Sequence, residues 1–149
     1  MNEFIIALGW CGVFSPVALG AVGSSMGCTI AGQAAIGACL ETEGGYGKFI
    51  GVAAMPSSQV IYGIVVMFAL NREMTVEVAP GIFGIGFFVG IALWMSGAYQ
   101  GRAVASAVSA SASKPEIFGL SLAPAAIVEG FSVFAFIFAL VVAGGLPSG

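Results

Sequence analysis

The sequence predicts an all-α membrane protein whose four transmembrane helices form two tandem hairpins. The first observation behind this prediction is composition, since 59% of the 149 residues are hydrophobic and only 7% are charged. Soluble domains carry about 25% charged residues, and a chain this short cannot bury so much apolar surface in water. The second is that polar residues divide the chain into four apolar segments, each as long as the roughly 20 residues that span a bilayer.

Each apolar segment is predicted to be a helix, because open strands would leave backbone polar groups unpaired in hydrocarbon. The approximate bounds of the segments are 4–40, 49–70, 80–115 and 116–145. The first and third segments are longer than a bilayer requires. We expect them to extend into water as helices or, in the first segment, to bend at Ser15-Pro16.

The two hairpins resemble copies of each other when the chain is shifted by 68 residues. The aligned pairs include Gly32 with Gln100, Gly51 with Gly119, Pro56 with Pro124 and Ile61 with Glu129. We therefore expect a first hairpin over residues 1–74 and a second over residues 75–149. The intramembrane carboxylate position is filled only in the second hairpin.

Glycine is concentrated in the first and third segments, and several of these glycines are four residues apart. Small residues at that spacing let helix backbones approach closely in lipid. The second and fourth segments carry bulkier side chains. We therefore expect helices 1 and 3 to be crowded together and helices 2 and 4 to lie outside them. A monomer cannot use so many close-approach faces, so we expect copies to assemble into a ring with inner (helices 1, 3) and outer (helices 2, 4) layers.

The basic residues predict the orientation in the cell membrane. Lys48, Arg102 and Lys114 flank the first and third loops, whereas Arg72 alone lies at the second. Because cytoplasmic loops are enriched in Lys and Arg, we expect both termini of this multi-pass protein on the non-cytoplasmic side. The chain has no basic patch, so nucleic acid is not an expected partner.

Glu129 is the one acidic residue at the centre of an apolar segment; the other six glutamates lie at termini, loops or segment ends. A charged side chain at that depth costs about 2.5–3.5 kcal/mol on insertion scales and usually marks an ion pathway. The alternative is a protonated Glu129 that makes one interhelical hydrogen bond.

Polar groups in the second segment are predicted to lie at the depth of the buried glutamate. Gln59 and Tyr62 are three residues apart and Ser58 and Tyr62 are four apart, so they share a helix face. Pro56 lacks an N–H group, and the resulting distortion could expose the backbone carbonyl of Met55. The third segment contributes Gln100.

Together these groups form an all-oxygen set suited to a hard cation. One negative charge favours a monovalent ion over a divalent one. A proton site would need only the carboxyl group and a dry pocket, in which two glutamines would be surplus, so we favour Na⁺ over H⁺. Either glutamine alone could equally be a helix–helix hydrogen bond.

Over nearly its whole length the chain resembles the proteolipid ring subunits (of the K or c type) of V-type ATPases. The likeness includes the duplicated hairpin, the glycine-rich first and third helices and the carboxylate in the fourth. It is closest to the sodium-transporting bacterial members, in which a leucine–proline–glycine–threonine–glutamine stretch precedes a tyrosine–glycine pair. Here the stretch reads Met55-Pro56-Ser57-Ser58-Gln59, and the pair is Tyr62-Gly63.

The resemblance implies a role for each residue of the site. The implied Na⁺ ligands are the backbone carbonyl of Met55 and the side chains of Ser58, Gln59, Gln100 and Glu129. Tyr62 would hydrogen-bond the glutamate and lock the occupied site. Ser58 replaces a threonine but keeps the hydroxyl, and Met55 replaces a leucine that would bind through its backbone. Proton-type relatives have apolar residues where Ser58 and Gln59 stand, which favours sodium.

The resemblance also implies that the protein is a non-catalytic ring subunit driven by ATP hydrolysis elsewhere in a complex. Its expected partners are identical copies, a stator membrane subunit that carries an arginine, central-stalk subunits and lipid. The alternative is the same ring coupled to H⁺. From another class, a small exporter or antiporter would carry its intramembrane glutamate in the first helix, where this chain has no buried carboxylate. A purely structural oligomeric component is a further alternative.

Overall fold

The computed structural model describes residues 1–147, and in them the chain consists of four long helices joined by short connections. These helices are α1 (Asn2–Glu41), α2 (Tyr46–Leu70), α3 (Ala79–Ser113) and α4 (Pro115–Gly144). All four are long and apolar enough to cross a membrane, and the described residues contain no strand. The predicted four-helix membrane fold is confirmed.

Helix α1 is continuous from Asn2 to Glu41 and passes through Pro16, so the chain does not leave the helical conformation at Ser15-Pro16. Pro16 cannot donate to the carbonyl of Gly12, but that carbonyl faces Gly86 of α3, where only a glycine leaves room for it. The 40 residues of α1 rise about 60 Å, roughly twice the hydrocarbon thickness of a bilayer. The first segment therefore continues beyond bilayer length as a helix, as predicted.

The backbones of α1 and α3 touch along a row of glycines. A Cβ atom at Gly23 would lie 2.6 Å from the Cα of Trp94, and one at Gly97 would lie 2.7 Å from the carbonyl carbon of Gly23. Gly27 and Gly101 meet in the same way, so no larger residue fits at these positions. The expected crowding of helices 1 and 3 is confirmed, and α2 and α4 pack against this central pair.

Helices α2 and α4 are each interrupted next to a proline. In α2 the helical segment Tyr46–Ala53 is followed by a 3₁₀ turn at Met55–Ser57 before the helix resumes over Ser58–Leu70. In α4 the interruption is at Leu122, and the final segment Ala123–Gly144 carries Pro124 in its first turn. Both breaks follow from the missing proline N–H.

A polar layer crosses the centre of the bundle between two apolar clusters. The cluster on the terminal side contains Val66, Leu70, Ile82 and Leu93, all fully buried. The cluster on the side of the hairpin loops contains Ala31, Phe49, Val104, Val108 and Ala125. The buried Gln59, Gln100 and Ser132 lie between them, so apolar side chains separate these groups from water on both sides.

The two hairpins repeat with one sequence interval between corresponding residues of the outer helices and a different interval in the inner helices. Ser24 of α1 accepts a hydrogen bond from the N–H of Val60, and Ser96 of α3 donates one to the carbonyl of Val128. Val60 and Val128 are 68 residues apart, as predicted, but Ser24 and Ser96 are 72 apart.

In the inner helices, the interval of 72 residues pairs Gln100 with Cys28. The predicted match of Gln100 with Gly32 is therefore wrong by about one helical turn. The reason lies in the hairpin loops. Four residues separate α1 from α2, whereas Lys114 alone separates α3 from α4. A single shift cannot describe both pairs of helices.

Candidate functional site

Glu129 lies in the middle of α4, half-buried, with its carboxylate directed at α2 and α3. One oxygen, Oε1, accepts a hydrogen bond from the hydroxyl of Tyr62 at 3.0 Å. The other, Oε2, accepts one from Nε2 of Gln100 at 3.1 Å. Tyr62 is held by stacking on Phe136, with ring centroids 5.3 Å apart. Both oxygens of the carboxyl group therefore accept hydrogen bonds from neutral donors.

Gln100 links the glutamate to α2. Its Nε2 donates to Glu129 and, at 3.4 Å, to the carbonyl of Ala125, while its Oε1 accepts a bond from Nε2 of Gln59 at 3.0 Å. Both glutamines are completely buried. The two residues that the sequence placed at matching depth therefore form one continuous network with the carboxylate.

Gln59 has one atom without a partner. Its Nε2 donates to Gln100 and also, at 3.4 Å, to the hydroxyl of Ser132, whereas its Oε1 is buried and accepts no hydrogen bond. Leaving a buried acceptor unpaired costs about 1–3 kcal/mol. A cation beside Gln59 would satisfy this oxygen.

Ser132 is a member of the network that the sequence did not identify. It is 1% exposed, and its hydroxyl donates to the backbone carbonyl of Glu129 at 2.7 Å. Its proton is thus engaged, so Oγ meets Gln59 only as an acceptor. Its position three residues after Glu129, on the same helix face, was the signal that could have revealed it.

Met55 and Ser58 lie at the break in α2 and are bonded to each other. The hydroxyl of Ser58 donates to the carbonyl of Met55 at 3.2 Å, and both residues are partly buried. Among the described hydrogen bonds, neither residue is joined to the carboxylate. The structure thus connects Gln59, Tyr62 and Gln100 to the glutamate. The Ser58 side chain lies beside the Tyr62 hydroxyl, and neither Met55 nor Ser58 is hydrogen-bonded to the carboxylate.

Chemically, the site offers oxygen atoms around one half-buried carboxylate. The site lies in the polar layer between the two apolar clusters. Carboxylate and amide oxygens suit hard cations such as Na⁺. The buried Oε1 of Gln59 has no hydrogen-bond partner, and both carboxylate oxygens of Glu129 accept bonds from neutral donors. These residues fit a small cation.

Comparison with known proteins agrees with the duplicated architecture. The family model that describes the C subunit of ATP synthase matches the chain twice, over residues 11–70 and 83–142. The two matches begin 72 residues apart and also end 72 residues apart. The first match contains Gln59 and Tyr62, and the second contains Gln100 and Glu129.

Two curated relatives match most of this chain. The A-type ATP synthase subunit K of Methanocaldococcus jannaschii is 31% identical over 139 residues, covering 89% of this chain and 62% of its own length. The V-type sodium ATPase subunit K of Enterococcus hirae is 26% identical over 137 residues, covering 89% of this chain and 85% of its own length. The chain therefore spans less than two thirds of the Methanocaldococcus jannaschii relative.

Proposed function

Since the chain belongs to the family of ATP synthase C subunits, as a proteolipid of the V-type ATPase kind, we propose that it is a rotor-ring subunit that carries Na⁺ at Glu129. In this role the protein is a non-catalytic component of a rotary ATPase. Identical copies form a ring, with α1 and α3 in the inner layer and α2 and α4 in the outer layer. Each copy contributes two hairpins, residues 1–74 and 75–149, and one ion site.

The observation that carries this proposal is the half-buried carboxylate of Glu129 beside the unpaired Oε1 of Gln59. An intramembrane carboxylate is costly unless it has a partner, and here its hydrogen-bond partners are neutral donors. A bound cation supplies the missing charge. Gln59, Gln100 and Glu129 bind it through side-chain oxygens, and the nearby Met55 carbonyl and Ser58 hydroxyl complete the set.

Two arguments favour Na⁺ over H⁺. A proton on Glu129 would neutralise the carboxylate but would leave the buried Oε1 of Gln59 without a partner, whereas Na⁺ would satisfy both. The Enterococcus hirae relative is a subunit of a sodium ATPase, although only 26% of residues are identical. The same ring coupled to H⁺ is the competing proposal.

Transport follows from alternation between an occupied and an empty site. Glu129 takes up an ion at one half-channel of a stator subunit, travels past lipid while the ion neutralises it and releases the ion at a second half-channel. An arginine of the stator pairs with the emptied carboxylate during transfer, and central-stalk subunits transmit the torque. Each charge moved against the membrane potential requires about 2.3 kcal/mol per 100 mV.

The expected location is the cell membrane, with both termini on the non-cytoplasmic side. Four membrane-length helices put both termini on one side, and the basic residues Lys48 and Lys114 flank the opposite loops. A cytoplasmic position of those loops follows from the enrichment of Lys and Arg in cytoplasmic segments.

The proposal is tested by carbodiimide labelling of Glu129 in the purified protein at neutral pH. A bound Na⁺ shields the carboxylate, so labelling should slow as Na⁺ is added and should not slow with equal concentrations of a bulky organic cation. Protection by acidic pH alone would identify a proton site and overturn the sodium assignment.

Glu129→Gln supplies the matched variant. It removes the charge while keeping the shape of the side chain, so reconstituted transport and labelling should be lost while the ring still assembles. Glu116→Gln, at an exposed glutamate in the first turn of α4, should change neither. Transport by the Glu129→Gln variant at the normal rate would overturn the proposed function.

A further inference from the structure

The connection between α2 and α3 places a cation at the ends of both outer helices. Arg72 follows the last residue of α2 by two positions, and its guanidinium reaches the end of α4. We infer that Arg72 is a positioning residue for the ion site, because it holds α4 against α2 at a fixed height along the bundle. The inference rests on the proposed function, since it concerns the Na⁺ affinity of the site around Glu129.

The guanidinium of Arg72 bridges the last turns of the two helices. Its Nη2 donates to the carbonyl of Ala143 in α4 at 2.9 Å and, at 3.5 Å, to the carbonyl of Ala69 in α2. The backbone N–H of Arg72 donates to the carbonyl of Leu70 at 3.0 Å, which turns the chain back at the end of α2. Because α2 and α4 belong to different hairpins, this contact joins the two halves of the chain.

The chemistry of the helix ends suits a cation. The last carbonyl groups of a helix have no partner within it, and the aligned peptide dipoles give this end a partial negative charge. Two such ends meet at Arg72. Within residues 1–147 the ion pair joins Lys114 to Glu116, so no carboxylate in this part of the chain pairs with the Arg72 guanidinium. The half-buried charge is therefore held by the helix ends.

Side-chain contacts join α2 to α4 at three heights along the bundle. Tyr62 bonds to Glu129 in the middle, and Phe118 packs on Phe49 near the hairpin loops. Arg72 supplies the contact at the terminal end. The inner helices, in contrast, touch along their backbones at a row of glycines. The relative height of the outer helices therefore depends on side chains, and one of these contacts is the ion site itself.

The helical segments between the middle and the terminal contact are continuous. In α2 the segment is Ser58–Leu70 and in α4 it is Ala123–Gly144. Tyr62 lies about 12 Å from the end of α2, and Glu129 lies about 21 Å from the carbonyl that Arg72 holds. A continuous helix that slides along its axis moves all of its residues by the same distance. A displacement at one contact is therefore transmitted to the other.

The two contacts must break together. Hydrogen bonds between nitrogen and oxygen span about 2.7–3.2 Å, so a slide of α4 by about 2 Å takes the Arg72 bond outside this range. The same slide separates the Tyr62 hydroxyl from the Glu129 carboxylate. The intact Arg72 contact thus resists the movement that takes the site apart, and its loss should lower the affinity for Na⁺.

The test is Arg72→Gln in the assembled full-length protein, measured by Na⁺ protection of Glu129 from a carbodiimide. The substitution removes the cation and shortens the side chain, so the end of α4 is no longer tied to α2. The Na⁺ concentration that gives half-maximal protection should rise about two- to thirtyfold, the range found when a residue outside a site changes its coupling.

The direction of this change separates positioning from charge. Removal of a positive charge from the surroundings of a cation site favours cation binding, by Coulomb's law. A purely electrostatic role of Arg72 therefore predicts tighter Na⁺ binding in the Arg72→Gln variant. The positioning role predicts weaker binding.

Two further variants complete the comparison. Arg72→Lys keeps the charge and can still donate to backbone carbonyls, so its Na⁺ affinity should lie between those of the unaltered protein and Arg72→Gln. Lys114→Gln is the matched control, because it removes one positive charge from a side chain that is 62% exposed at the opposite end of the bundle. Its half-maximal Na⁺ concentration should be unchanged.

A measurement on the unaltered protein applies even where Arg72→Gln does not fold. Coupling between two sites is reciprocal, so bound Na⁺ must strengthen the Arg72 contact if that contact strengthens Na⁺ binding. Backbone amide exchange at the end of α4, over residues 142–146, should therefore slow when Na⁺ is added. Exchange at the loop end of α1, over residues 38–41, should stay the same.

The outcomes separate the two proposals. Weaker Na⁺ binding by Arg72→Gln, with partial recovery in Arg72→Lys, supports the positioning role. Equal or tighter Na⁺ binding by Arg72→Gln, or exchange over residues 142–146 that Na⁺ does not slow, overturns it and leaves the proposed function standing. Absence of any Na⁺ protection of Glu129 in the unaltered protein would contradict the proposed function itself.

Discussion

At Glu129 the direction of each hydrogen bond follows from which atoms carry protons. The hydroxyl of Ser132 donates to the Glu129 carbonyl, so its oxygen can only accept a further hydrogen bond. The group of Gln59 that faces this oxygen must therefore be the NH₂. The amide of Gln59 is therefore fixed with its Oε1 unpaired. In the proposed site, Ser132 thereby orients Gln59.

Ser132→Ala should weaken Na⁺ binding without abolishing it. The substitution removes the acceptor that holds the Gln59 NH₂, so the amide can rotate and present its oxygen less often to the ion. One neutral hydrogen bond is worth about 0.5–1.5 kcal/mol, which corresponds to a roughly two- to twelvefold loss of affinity. Isothermal titration with Na⁺ in detergent measures it.

Ser106→Ala is the matched control for Ser132→Ala. The hydroxyl of Ser106 is exposed and bonds only to the carbonyl of Arg102, one turn earlier in its own helix. Na⁺ affinity should be unchanged in this variant. Equal affinity in the two variants would show that Ser132 has no role in orienting Gln59.

Among the helices, the inner pair α1 and α3 depends on the absence of side chains at its contact. Gly86 lies against the backbone of Gly12, and any Cβ atom there would overlap the carbonyl group. The contact therefore sets the distance between the inner helices.

Gly86→Ala should destabilise the protein by about 1–3 kcal/mol, because α1 and α3 must move apart to admit one methyl group. Gly84→Ala is the matched control in the same helix, since nothing lies within 4 Å of that Cβ position. It should be neutral or slightly stabilising, given the higher helix propensity of alanine. Denaturation of both variants in mixed micelles compares them, and equal stability would contradict the packing argument.

At the scale of the whole molecule, the four helices together contain one glutamate, Glu129, at the centre of an apolar segment. The counterparts of Gln100 and Glu129 in the first hairpin are Cys28 and Ile61, neither of which offers a charged oxygen. The first hairpin therefore has no second carboxylate at the corresponding position. In the proposed ring each turn moves fewer ions than a ring with one carboxylate per hairpin.

A smaller number of ions per turn favours pumping over ATP synthesis, because each ATP then drives fewer ions against a larger gradient. The reconstituted complex should accordingly move fewer Na⁺ per ATP than a complex with single-hairpin ring subunits. Simultaneous measurement of ²²Na⁺ uptake and ATP hydrolysis gives this ratio. A ratio equal to that of single-hairpin rings would contradict the expectation.

By itself the sequence determined the four helices and the crowding of the inner pair, and it singled out Glu129 as the one glutamate at the centre of an apolar segment. These features depend on properties that are local in the chain: apolar length, glycine spacing and one charge inside a hydrophobic segment. Gln59, Tyr62 and Gln100 could be predicted for the same reason, because polar groups in apolar segments are conspicuous.

Only the tertiary structure decided how these residues meet. Ser132 escaped prediction because a serine in a membrane helix usually bonds to its own backbone, and its bond to Gln59 depends on how α4 lies against α2. The counterpart of Gln100 moved from Gly32 to Cys28 because two loops of different length change the register by one turn. The orientation of an amide and the register between helices arise from contacts between distant segments, which no local pattern records.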